Sequence, residues 1–275
     1  MEHSATLFLT TFVLYCAAAV LYMWSMVGEP ARISRAATYA AALGLAAHTA
    51  GIALRGIELH RAPFSNLFES LTFGAWALMA IYLVMGRKYR MSALGTFVSL
   101  IALITIIFGS IIPKGVSGSL VPALQSNWSV IHVTTSLISY ASFTVAFAAA
   151  LGYVLQEHML KRKKINGLRR RLPSLDVMDH LAYKMVALGF PMLTLGVITG
   201  ALWAQSAWGT YWNWDPKETW SLITWLVYAA YLHVRIVQGW QGKWANRLLI
   251  AGFACILITY LGVNFLSPGL HKYNW

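Results

Sequence analysis

Eight runs of mostly apolar residues dominate this sequence. They cover residues 6–27, 36–56, 65–85, 94–112, 129–155, 184–206, 217–238 and 246–266. About 20 apolar residues in a helix cross a bilayer core of about 30 Å, and only a helix satisfies its backbone hydrogen bonds within one segment there. Because 58% of the residues are hydrophobic and 11% are charged, we predict an all-α fold. It is one integral membrane domain over 1–275, a polytopic bundle of about eight transmembrane helices.

The basic residues predict the orientation of the bundle. If both termini lie outside, most of the 21 lysines and arginines fall in inner loops, as the positive-inside rule requires. The five that remain outside are Arg55, Arg61, Lys114, Lys217 and Lys272. This bias explains most of the net charge of +12, so no nucleic acid partner is predicted. The N-terminus lacks the features of a cleaved signal peptide, and the first run is interpreted as a retained span.

Two other function classes are disfavoured. Cys16 and Cys255 stand alone in apolar runs without a Cys-x-x-Cys pair, which argues against disulfides and thiol exchange. Both are interpreted as packing residues. An inverted-repeat transporter has paired broken helices, whereas only Pro191 interrupts a predicted span here.

An external loop at 207–220 is rich in aromatic rings. Interface belts also use tryptophan, but one or two rings at each helix end are enough for that role. Here five rings are predicted to form a flat apolar platform that suits a large planar ligand, such as a quinone, a porphyrin or a carotenoid. They are Trp208, Tyr211, Trp212, Trp214 and Trp220.

The end of this loop is also typical of a helix start. Asp215 is a good N-cap, Pro216 suits the first helical position, and Glu218 stands where a capping box places its acidic residue. Asp215 and Glu218 are therefore predicted to begin the seventh helix, which does not exclude a role in binding.

Two histidines are predicted to lie at the depth of this loop. His132 is near the outer end of the fifth span, and His271 follows the eighth. Each alone is typical of a satisfied interface residue. Together, beside an aromatic platform, they are candidate axial ligands for a haem iron.

A third histidine lies deeper. His233 is sixteen residues beyond Lys217, about 24 Å inward at about 1.5 Å per residue, and an ionisable group there is a candidate functional site. A second ligand would come from His48 in the second span, whose depth matches loosely, or from another subunit. His158 and His180 are interpreted as solvated.

These residues together resemble the CcsA (ResC) family of cytochrome c biogenesis system II, within the haem-handling superfamily that has a tryptophan-rich "WWD" domain. The motif Trp-Gly-x-x-Trp-x-Trp-Asp-x-Lys-Glu-x-Trp stands at 208–220. The resemblance extends over nearly the whole chain. It includes Pro63-Phe64-Ser65-Asn66-Leu67-Phe68-Glu69-Ser70, His132, His233 and Gly269-Leu270-His271-x-Tyr273.

The resemblance implies haem b as the substrate, carried outward and presented to the Cys-x-x-Cys-His segment of apocytochrome c, as part of a haem lyase. His132 and His271 would ligate the outer haem, held on a loop that includes Trp208, Trp212, Trp214, Asp215 and Trp220. His233 would ligate an inner haem, opposite a ligand from a CcsB (ResB) partner. The outer cations Arg55, Arg61, Lys217 and Lys272 are candidate propionate partners. The membrane would be the bacterial plasma membrane or, for a plastid protein, the thylakoid.

Two alternative functions stay open at this point. One is a membrane redox or quinone-binding protein that uses the same platform, and the other is a HemX-like regulatory protein of the same superfamily.

Overall fold

A computed structural model describes residues 2–27, 30–89, 92–112, 122–163 and 172–266. Each of the eight predicted segments coincides with a long helix, and no strand occurs in these ranges. This confirms the all-α fold class. The helices are α1 (Glu2–Ser25), α2 (Pro30–Leu59), α3 (Leu67–Tyr89), α4 (Ser92–Ile111), α5 (Asn127–Lys161), α6 (Leu175–Trp208), α7 (Pro216–Ile236) and α8 (Lys243–Leu257), with a 3₁₀ turn at Pro122–Gln125.

Seven helices in the described ranges are long and apolar enough to cross a membrane, and the last runs through Lys243–Phe265. It continues α8 through a π-helical turn at Ile258–Gly262 into Val263–Leu266. The remaining helix, α7, has 21 residues, about 32 Å at about 1.5 Å per residue. It is less apolar because Lys217, Glu218 and Arg235 lie in its end turns. Orientation, including the outer placement of both termini, stays a prediction.

The chain groups into two compact units. The first comprises residues 1–114 and 152–178, and the second comprises 115–151 and 179–275. In the first unit, α1 lies close against α2, and a Cβ at Gly44 would fall 2.6 Å from the Tyr15 ring. A larger residue at position 44 would force these helices apart. Near the C-terminal end of α1, the Tyr22 hydroxyl lies 3.1 Å from Thr38 Oγ1, and its ring meets Tyr82 edge to face.

The second unit is held by stacked rings and buried polar bonds. Phe143 stacks on Tyr228 with ring centroids 3.6 Å apart, and the hydroxyls of Thr224 and Thr259 are 3.1 Å apart. Near one end of α7, Arg235 pairs with Asp179, and both side chains are 9% exposed. A buried pair of this kind is costly to break, because either partner alone is left as an uncompensated charge.

Candidate functional site

The loop between α6 and α7 is anchored to the first turn of α7. Asp215 accepts a hydrogen bond from the Lys217 N–H at 2.9 Å. Glu218 Oε2 accepts from the N–H groups of Asp215 at 3.2 Å and Asn213 at 2.7 Å. These bonds confirm the predicted capping box, with Pro216 at the start of the helix. The non-helical part of the loop is residues 209–215, because 207–208 end α6 and 216–220 belong to α7.

The rings of this loop do not form one flat surface. Trp212 and Trp214 meet edge to face, with centroids 5.8 Å apart and planes at 88°, an arrangement that the ring quadrupoles favour. Trp214 is 69% exposed and Tyr211 is 58% exposed. Trp208 and Trp220 are half-buried. The loop therefore exposes the rings of Tyr211 and Trp214, whereas Trp208 and Trp220 at its two ends are partly covered by the protein.

His132 is oriented by a neighbouring helix. Its Nδ1 lies 2.7 Å from the carbonyl oxygen of Gly196 on α6. A carbonyl can only accept, so Nδ1 carries the proton and Nε2 has the lone pair that binds metals. A backbone carbonyl on one ring nitrogen is the usual way in which a metal-binding histidine is fixed in its tautomer and orientation.

A row of rings joins His132 to the loop. The imidazole stacks on Trp203, with centroids 5.8 Å apart and planes at 25°, and Trp203 meets Trp208 at 5.3 Å. Trp203 is 3% exposed, so this buried ring packs between the histidine and Trp208, the first tryptophan of the motif. The structure thus brings His132 to the aromatic loop on the Trp208 side.

Two glycines that the sequence interpretation missed make this approach possible. A Cβ at Gly196 would lie 2.5 Å from Ser136 Oγ, and a Cβ at Gly200 would lie 2.7 Å from His132 Nδ1. They form a Gly-x-x-x-Gly pattern on α6, which lets membrane helices approach closely. That spacing was the available signal for the contact between α5 and α6.

The other histidines are placed separately. His233 is exposed on α7, seventeen residues after Pro216. His48 is fully buried in the first compact unit. His271 lies in 267–275, outside the described residues. His158 and His180 are exposed on helices α5 and α6, and both cysteines are free thiols.

Three of the candidate propionate partners already have partners of their own. In the first unit, Arg55 and Arg61 both pair with the fully buried Glu69 carboxylate at 2.9 Å. In the second, Lys217 Nζ donates to Asn264 Oδ1 at 3.0 Å. The fourth candidate, Lys272, lies outside the described part of the chain.

The chain has similar proteins over most of its length. The family described as "Cytochrome C assembly protein" matches residues 64–271. A protein of Guillardia theta named "Cytochrome c biogenesis protein CcsA" is 41% identical, aligned over 80% of this chain and 79% of its own length. A protein of that name from Synechocystis sp. is 34% identical over 97% of this chain and 96% of its own.

One solved structure shares the fold. It is titled "Cytochrome c Heme Lyase CcmF", with a TM-score of 0.70 and 18% sequence identity, and the match covers 94% of this chain. This chain spans 46% of that longer protein. At this identity the likeness concerns the fold alone.

Proposed function

Because the chain belongs to the CcsA family of cytochrome c assembly proteins, we propose that it moves haem b outward across the membrane and presents it to apocytochrome c. The observation that carries this proposal is His132. Its Nδ1–H is bonded to the Gly196 carbonyl, and its ring stacks in a row with Trp203 and Trp208. This is the environment that an axial haem ligand needs.

The outer haem site has two imidazole ligands, which come from distant positions in the sequence. His132 binds the iron on one side through Nε2, and His271 binds on the other. Trp208, Trp212, Trp214 and Trp220 line the porphyrin, while Asp215 keeps the loop fixed to α7 through its capping bonds. A pocket partly closed to water protects ferrous iron from oxidation, since burial is one of the factors that set the redox potential.

Covalent attachment of haem to apocytochrome c depends more on the positions of the thiols and vinyl groups than on acid–base catalysis. Each thiol of the apocytochrome Cys-x-x-Cys-His segment adds across a vinyl group: a carbon–sulfur bond forms, the thiol hydrogen goes to the other vinyl carbon, and nothing leaves. We assign the docking of this segment to the rings of Tyr211 and Trp214, because both are exposed. The segment's own histidine replaces one of the two ligands.

The inner site is shared with a second protein. His233 is exposed on α7, so its imidazole is available to a neighbouring chain in the membrane. We assign the opposite axial ligand to a CcsB-like partner, and the two proteins together form the haem lyase. The membrane is the plasma membrane in a bacterium and the thylakoid in a plastid.

An absorption spectrum of the complex with this partner tests the proposal. The purified complex is expected to carry haem, and His132→Ala combined with His271→Ala is expected to remove the part held at the outer site. His158→Ala, an exposed histidine on the same helix as His132, is the matched control. A complex without haem, or a spectrum unchanged in the double variant, contradicts the proposal and favours the quinone-binding or regulatory alternatives.

Gly200→Ala is a second, milder test of the outer site. The added methyl would lie 2.7 Å from His132 Nδ1, so the imidazole must turn away from Gly196. Loss of the hydrogen bond that orients a metal-binding histidine typically costs about 10- to 100-fold in metal affinity or activity. We expect the yield of cytochrome c to decrease by a factor in that range. Gly109→Ala is the control, because its Cβ would lie 3.5 Å from the nearest atom, Leu71 Cβ. Equal yields from the two variants would show that the ring's position does not matter.

A further inference from the structure

The first compact unit contains a pocket of about 300 Å³ between membrane-spanning helices. Its walls come from α1, α2, α3 and α4. Its lining residues include the fully buried His48 and the nearly buried Thr11 and Thr72. His48 is eleven residues before the end of α2 at Leu59, about 16 Å along the helix. It lies within the span rather than at the membrane surface.

His48 is one of the residues that line this pocket, and its side chain has one unsatisfied polar atom. Its Nδ1 lies 3.3 Å from the Tyr15 hydroxyl, whereas its Nε2 has no hydrogen-bond partner within the described ranges. The residue is 0% exposed. A buried nitrogen without a partner costs free energy, and a bound water or ligand can supply the missing bond. An oxygen atom of a ligand in the pocket would satisfy this nitrogen if it came within hydrogen-bond distance.

The pocket reaches the protein surface beside α1 and α4. Leu9, Ile107 and Ser110 on α1 and α4 line it and are exposed. In a membrane-spanning helix pair such a face meets lipid, so the ligand that enters here is dissolved in the bilayer.

The walls favour a single flat ring. Phe8, Phe12 and Phe68 line the pocket, and Phe8 stands edge-on to both His48 and Phe68, with centroids 6.0 and 5.9 Å apart. Ring walls of this kind pack well against a planar ring. A volume of about 300 Å³ is the lower end of the range for small-molecule sites, which suits one substituted ring better than a porphyrin.

We propose that this pocket binds the head ring of a lipid-soluble quinone or quinol, with His48 Nε2 bonded to a ring oxygen. The Tyr15–His48 pair can serve both forms. When the tyrosine hydroxyl donates to Nδ1, Nε2 carries the proton and donates to a quinone carbonyl. When Nδ1 donates to the tyrosine oxygen, Nε2 accepts from a quinol hydroxyl. The proposal concerns binding and does not depend on the haem function.

Photo-cross-linking of the full chain, purified with its partner in lipid nanodiscs, tests it. An azido-benzoquinone with a decyl chain is expected to label α1, α2 or α4 saturably, in competition with unlabelled decyl-benzoquinone. His48→Leu removes one hydrogen bond and is expected to weaken competition by about fivefold to tenfold. Labelling that does not saturate, or His48→Leu equal to wild type, overturns the proposal.

Two further variants separate this site from unspecific effects. Ser110→Phe narrows the mouth from an exposed position, so it should block labelling even if His48→Leu folds poorly. Thr10→Ala, on the exposed face of α1 outside the pocket, should leave labelling unchanged. Equal competition by decanol would identify an acyl-chain site instead. A haem absorption band lost in His48→Leu alone would identify an iron ligand, and either result contradicts the quinone assignment.

Discussion

His132→Gly is expected to abolish covalent cytochrome c in cells that depend on this chain, and added imidazole is expected to restore part of it. The variant removes the axial ligand itself. The decrease in cytochrome c should therefore exceed the roughly 10- to 100-fold effect of losing only the hydrogen bond that orients this ligand. Removing the ring opens a space beside Gly196, Gly200 and Trp203. Free imidazole can enter that space, donate to the Gly196 carbonyl and ligate the iron. Haem staining of membrane proteins after electrophoresis measures the yield.

His158→Gly is the matched control for this experiment. It puts the same helix-weakening residue into the same helix α5 at an exposed position, where glycine costs about 1 kcal/mol relative to alanine. It should leave cytochrome c unchanged. If two imidazoles flank the iron, His271→Gly behaves as His132→Gly does. Normal cytochrome c in His132→Gly, or a loss that no imidazole restores in either variant, would contradict axial ligation.

The helices could be predicted from hydropathy, but their ends could not. The second run was predicted at 36–56, whereas α2 spans Pro30–Leu59, and the fifth at 129–155, whereas α5 spans Asn127–Lys161. Hydropathy detects only the part of a helix that contacts apolar surroundings. The last turns are polar and stay helical through local pairs, such as Lys161 with Glu157 at 2.7 Å.

The site was predictable where its information is local. The capping box is determined by Asp215-Pro216-Lys217-Glu218, four adjacent residues, and it formed as predicted. The bond from His132 to Gly196 joins residues 64 positions apart, and no local pattern specifies which carbonyl the imidazole meets. The relative planes of Trp212 and Trp214 were also unpredictable, because loop backbone such as Trp214 at φ 56° sets them.

His233→Ala tests the order in which haem visits the two sites. If haem enters at His233 and moves outward, this variant should empty both sites of the purified complex. His132→Ala should empty only the outer site and leave the inner haem in place. The reason is that the outer site has no supply except through the inner one. Haem content per complex, measured by absorbance after extraction, is expected to fall to near background in His233→Ala and by about half in His132→Ala, as two one-haem sites require.

The matched control is Ile236→Ala, one turn along α7 and 66% exposed. It perturbs the same exposed region without removing a ligand, so it separates lost ligation from a weakened contact with the partner protein. Co-purification of the partner should be normal in both variants. An outer site that still fills in His233→Ala would mean that haem reaches His132 by another route, and His233 would then be an exposed residue with no part in haem delivery.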